Sequence, residues 1–224
     1  MTDYLEVRED VIAKFGVASQ AHAAVEYTRL IDLIAHGYVN SDDLRREVDE
    51  QLEIVDLLIE GSISARGVDF VTHDPISGQL RFTQTPQAGP PSHAISSPLR
   101  LTRQTLKTLP SGSHFIYVLS TEDSLLIEPT PLTTSDLFFP EADSVRNRVR
   151  HPQLLGADAP VLGAGEICVF HSAGAPYAAL INNRSGHFRP PPLSLERVRQ
   201  AVCRELSLPA DAVVEVRVGA YGRQ

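Results

Sequence analysis

Tyr177-Ala178-Ala179-Leu180-Ile181-Asn182-Asn183-Arg184-Ser185-Gly186-His187-Phe188-Arg189-Pro190 is the stretch whose reading decides the fold. Its first five residues are apolar and suited to a strand; from Asn182 onward nearly all are polar, cationic or backbone-breaking. A strand that empties into such a loop delivers amide, hydroxyl, imidazole and guanidinium groups to one sheet edge. Sites are commonly built this way, from loops held on a rigid scaffold.

Further apolar runs lie around this strand. Gly165 to Phe170 reads as its antiparallel partner, and His114 to Ser120 and Ser124 to Glu128 read as two strands joined at Thr121-Glu122-Asp123. Val68 to Thr72 and Gln79 to Thr83 flank Asp74-Pro75-Ile76-Ser77-Gly78, which has good turn chemistry for a hairpin. Ser97-Pro98 reads as the cap and first turn of a short helix running to Leu109. Ser194 is placed to cap a helix through Leu206, with Leu195, Val198, Val202 and Leu206 facing inward, and Val213 to Val218 gives a last strand.

The N-terminal part is helical in pattern. One amphipathic run covers about Ser19 to Ala35 and ends before Gly37; a second starts at Ser41-Asp42-Asp43 and repeats apolar residues from Leu44 to Ile59. The fold class is therefore α+β: a mostly antiparallel sheet with packed helices, preceded by an N-terminal helical hairpin. Residues 1–84 hold the helical hairpin and a β-hairpin. Residues 85–97, rich in Pro and Gly, form a linker or flap, and 98–224 form the α+β domain that carries the site.

Composition narrows the function. The chain has 224 residues, of which 42% are hydrophobic, enough for a real core. A net charge of −8 argues against general nucleic-acid or anionic-membrane binding, which needs clustered cations. One nucleotide needs only two arginines. Cys168 and Cys203, the two cysteines, read by default as reduced buried thiols, with a single disulfide between them as the alternative. With no leader pattern and no apolar run near ~18 residues, the expected location is the cytoplasm, or export by a dedicated machine.

Two constellations carry chemistry. Around His187 lie Asn183, Arg184, Ser185 and Arg189: histidine moves protons near neutral pH, and arginine grips phosphate or carboxylate with two hydrogen bonds. The same side chains are also of the kind that simply tie down a loop. The second constellation is Arg150-His151-Pro152-Gln153 followed by Gly163-Ala164-Gly165-Glu166, where the glycines allow close backbone approach and Glu166 supplies a base or an anchor. His151, Glu166 and His187 are the catalytic candidates; Asn183, Arg184, Ser185 and Arg189 are the substrate-binding candidates. No His-x-His or His-x-x-x-His pair supports a metal; no Walker-type phosphate loop, deaminase Cys-x-x-Cys or Gly-x-Ser-x-Gly elbow is present, and the residues name no cofactor.

His151-Pro152-Gln153-Leu154-Leu155-Gly156, Val161-Leu162-Gly163-Ala164-Gly165-Glu166 and Asn183 to Pro190, in this order, resemble a bacterial domain found at the ends of polymorphic toxins. They are more distantly similar to the core of plant IQ-motif calmodulin-binding proteins. The likeness spans about residues 113 to 218. Pro152-Gln153 and Phe188 depart from the usual pattern, the latter replacing a tyrosine, and no calmodulin-binding IQ pattern is present. The resemblance implies a toxin-like or effector-like domain.

The leading expectation is an enzyme, transferase or hydrolase, using His151 and His187 for proton transfer, Glu166 for orientation and Arg184 or Arg189 to bind a nucleotide-like, phosphate-bearing substrate. The alternative is a non-catalytic module that docks a protein partner, or a second copy, through residues 19–60. A tailoring enzyme on a small metabolite is a third, recognisable by a deep apolar pocket beside His187.

Overall fold

The longest of the described strands, Val161–Ser172, forms the spine of the sheet. The computed structural model of the chain describes residues 29–39, 70–83, 96–132, 149–156, 159–185 and 187–217. Within these, the strands are β1 (Phe70–His73), β2 (Leu80–Thr83), β3 (Leu99–Arg100), β4 (His114–Ser120), β5 (Leu125–Ile127), β6 (Val161–Ser172), β7 (Ala175–Asn182) and β8 (Val213–Val216). One long helix, α1 (Ser194–Leu206), follows β7.

All eight strands belong to one sheet. One edge of β6 pairs with β4, which continues to β5 and β3. Its other edge is shared: β2 joins at Val161, with β1 outside it, and β7 joins from Ile167 to Ser172. Every pairing is antiparallel except that of β7 with β8, which is parallel and sets the end of α1 beside the sheet. The boundary expected at residues 85–97 falls mostly outside the described residues, and β2 pairs with β6 across it.

Both faces are covered, so β4 is buried at every position instead of alternating between apolar and polar. The period of two sorts the side chains. Phe115, Tyr117, Leu119, Ile167, Val169, Ala179 and Ile181 face α1, which sends down Leu195, Val198, Ala201, Val202 and Leu206. Full burial of each valine, leucine, isoleucine or phenylalanine among these stabilises by about 1.5–3 kcal/mol. On the opposite face Ile116, Val118 and Ala164 pack with Leu154 and Phe188. Beside them Cys168, Phe170, Leu180 and Val216 pack with Leu30 and Ile34 of the helical residues 29–35.

Residues 29–35 are helical and stop before Gly37, and they cover the protein's own sheet, with the Tyr177 hydroxyl donating to Ala35 O; the expected helix over 19–28 lies outside the described residues. Residues 41–60 lie outside the described residues. A two-residue turn joins β6 to β7, with Ala173 and Gly174 both at positive φ (50° and 80°). At Gly174 a side chain is excluded twice over, since a Cβ would lie 2.4 Å from Lys107 Cγ.

Three local expectations are corrected. Residues 98–109 do not form a helix: Leu99–Arg100 adds to the sheet against β5, and only Thr105–Thr108 makes a 3-10 turn. The edge of β5 offers backbone partners, while Thr102 and Thr105 hydroxyls compete for the backbone groups a helix would use. Ser194 is the first helical residue rather than the cap, and its Oγ is buried with no hydrogen-bond partner. His171 is half-buried rather than exposed: Nδ1 accepts from Gly174 N and Nε2 donates to Leu109 O, which stitches the turn to the loop before β4.

Candidate functional site

Gly165 is where the site begins. It pairs with Tyr117 across the β4–β6 ladder. A Cβ at Gly165 would sit 2.0 Å from Asn182 O, so only glycine lets the end of β7 lie against β6 there. The Tyr117 hydroxyl, fully buried, donates to the same Asn182 O at 2.8 Å. Burial first, then the charges of Glu166 and Glu215, push the Tyr117 phenol well up, so it stays a neutral donor.

The Asn182 side chain then joins three backbone segments. Its Oδ1 accepts from Glu166 N at 2.9 Å and from Arg184 N at 3.0 Å. Its Nδ2 donates to Glu166 Oε2 at 2.8 Å. Where β6 turns its edge away from a neighbouring strand, this amide supplies the acceptor that a buried N–H requires.

Glu166 is 8% exposed. Its second oxygen, Oε1, lies 4.0 Å from Arg184 NH1, and the Arg184 side chain is 24% exposed. Burial raises the Glu166 carboxyl above its ordinary value, opposed by the Arg184 charge and the Asn182 bond. His151 opens a 3-10 turn, His151–Leu154, anchored by buried Leu154 and closed by Gln153 Oε1 accepting from Arg150 N at 2.7 Å. Its Nε2 donates to Gly165 O at 2.9 Å. Burial lowers the imidazole to about 4, against the Gly165 bond and together with the Arg184 charge, so near neutral pH it is an uncharged donor.

The structure thus brings His151, Glu166 and Arg184 together around Gly165 and Asn182. The other candidates sit farther along the same loop. Asn183 is fully buried and donates from Nδ2 to Pro190 O at 2.8 Å. Ser185, also buried, receives Phe188 N on Oγ and Arg189 N on its carbonyl. These bonds fix the loop's shape, and Phe188 plugs it into the apolar cluster with Ile116 and Leu154. Arg189 is half-buried at a φ of 45°, and His187 is half-buried in the turn before Phe188. Gly163 faces Val198 of α1, so its missing side chain serves helix packing rather than a ligand.

Sequence reasoning missed Asn182 as the hub and Tyr117 as its second anchor. It also missed Glu128, a buried carboxylate whose oxygens take the Ser96 and Thr130 hydroxyls at 3.3 and 3.2 Å. The available signals were an asparagine ending an apolar strand and a tyrosine in the middle of the apolar run Phe115 to Leu119. Among the described residues, no group of three or more His, Cys, Asp or Glu side chains is placed to hold a metal ion. Both cysteines are free, Cys168 buried and Cys203 half-buried. No described helix is long and apolar enough to cross a membrane. Comparison of the chain with protein-family models, curated proteins and solved structures finds no match.

Proposed function

We propose that the chain is a toxin-like or effector-like enzyme acting on a nucleotide or other phosphate-bearing substrate. In this reading Arg184, with Arg189, binds the phosphate, and His187 transfers the proton. Glu166 and Asn182 hold Arg184 in place. His151 is moved from proton transfer to positioning, because its imidazole is neutral and its Nε2–H is committed to Gly165 O.

The observation that carries the reading is the half-buried Arg184 guanidinium set against the buried Glu166 carboxylate. Burying such a pair costs several kcal/mol in desolvation, and an apolar pair would serve a scaffold as well or better. Ionisable groups gathered and perturbed at one sheet edge support a working site. Arg184 falls in the Asn183 to Pro190 string, and His151 and Glu166 in the two earlier segments, on which the toxin-domain resemblance rests.

The test is to express Arg184→Ala and His187→Ala, confirm folding by circular dichroism and thermal melting, and measure growth inhibition and turnover of a panel of nucleoside phosphates. Loss of both activities in folded variants is the expected result; full activity in both removes the proposal.

A second reading, a non-catalytic protein-binding module, is favoured by one observation. Asn182, Asn183 and Ser185 are all engaged in bonds that shape the loop itself. Saturable nucleotide binding separates the two, since it belongs to the enzymatic reading alone.

A further inference from the structure

The two oxygens of Glu166 are held unequally. Oε2 has a normal hydrogen bond from Asn182 Nδ2 at 2.8 Å, while Oε1 faces Arg184 NH1 at 4.0 Å, at the limit of an ion pair. Arg184 is the more exposed partner, 24% against 10% for the Glu166 side chain, and its backbone N is pinned by Asn182. The guanidinium lies on a long flexible stem from that fixed point. Glu166, by contrast, is fixed on β6 and cannot follow an arriving anion.

We propose that Arg184 is shared between Glu166 and the phosphate of the bound substrate, so that seating the substrate frees Glu166 Oε1 to take a proton from water. This rests on the phosphate-binding reading above and adds its coupling to proton uptake. The step balances simply: one proton moves from solvent to Oε1, and no bond between heavy atoms forms or breaks. Two forces act in the same direction. Drawing the cation away removes what holds the buried carboxyl down, and the incoming anion adds a like charge beside it. Oε2 keeps its Asn182 donor in either state.

Two titratable groups coupled to the pair, one on β4 and one on the 3-10 turn, oppose neither change. Tyr117 on β4 is neutral, and His151 on the 3-10 turn is uncharged near neutral pH. A protonated Glu166 would be a general acid created by the substrate itself, absent from the empty enzyme.

The test uses the full chain and inorganic pyrophosphate, which has no carbonyl absorption, with occupancy followed by calorimetry and carboxyl protonation by difference infrared spectroscopy near neutral pH. In the wild type a protonated-carboxyl band grows in step with occupancy. Glu166→Gln binds without that band, and Arg184→Gln shows it before any ligand is added. Saturable wild-type binding with no band, or a band that persists in Glu166→Gln, overturns the coupling and leaves phosphate binding standing. Absence of wild-type binding overturns both. If Glu166→Gln does not fold, ligand-free Arg184→Gln decides alone, and its lacking the band overturns the proposal.

Discussion

Replacing Asn182 with alanine removes the group that joins β6, the end of β7 and the loop. The Glu166 N–H, buried inside the sheet, loses its acceptor. An orphaned buried donor costs about 1–3 kcal/mol. The Glu166 carboxylate loses its best donor, a bond to a charged group worth about 1.5–3 kcal/mol. The Arg184 N–H, closer to solvent, adds little. Together these give a loss of about 3–5 kcal/mol, or roughly 10 °C in melting temperature for a chain of this size. Urea denaturation and thermal melting by circular dichroism measure both, with Gln200→Ala on the exposed side of α1 as a control inside ~0.5 kcal/mol. A loss below about 1 kcal/mol for Asn182→Ala would refute the hub.

Gly165→Ala is expected to be worse than any side-chain deletion at the site, because the new Cβ meets a backbone oxygen rather than a side chain that can swing away. Low soluble yield or a melting temperature below that of Asn182→Ala is the outcome to look for, and a wild-type melt contradicts the close approach. Stability should also fall on acidification. Burial depresses His114 and His151 from 6.5 to about 4 in the folded state, so between those values the unfolded chain binds more protons. Each then removes up to about 1.4 kcal/mol per pH unit as pH drops through that window. The raised Glu166 carboxyl acts with the opposite sign but is one group against two. Urea midpoints taken down this window should fall less steeply for His151→Gln, and superimposable curves would show that His151 does not titrate in this way. Ala173→Gly relieves a left-handed alanine in the β6–β7 turn and should raise stability by about 0.5–1 kcal/mol, read from the urea midpoint; any loss contradicts the turn geometry.

Much of the sheet was legible in the sequence, for a physical reason. Runs such as Phe115 to Leu119 and Ala178 to Ile181 are buried on both faces, so their continuous apolarity marks them without any alternation. The 3.6-residue spacing from Leu195 to Leu206 marked α1 equally well. The segment after Pro98 was misread because Ser97-Pro98 has the chemistry of a helix start, while the decisive partner, the edge of β5, lies more than twenty residues away. The parallel pairing of β8 with β7 is non-local in the same way.

The site was legible in its residue types but not in its connections. Nothing local says that His151 reaches the carbonyl of Gly165, or that Asn182 rather than His187 ties Glu166 to Arg184. Those contacts depend on the register of β6 against β4 and on where β7 ends. The loop's hydrogen bonds could be foreseen as a class; their particular partners could not.

Calorimetric titration of inorganic pyrophosphate into the wild-type chain and into folded Arg184→Ala tests the central claim most directly. The account predicts saturable wild-type binding and at least about tenfold weaker binding in the variant, as loss of a charged hydrogen-bond donor implies. Equal affinity in the two proteins, or no binding by the wild type, would contradict it.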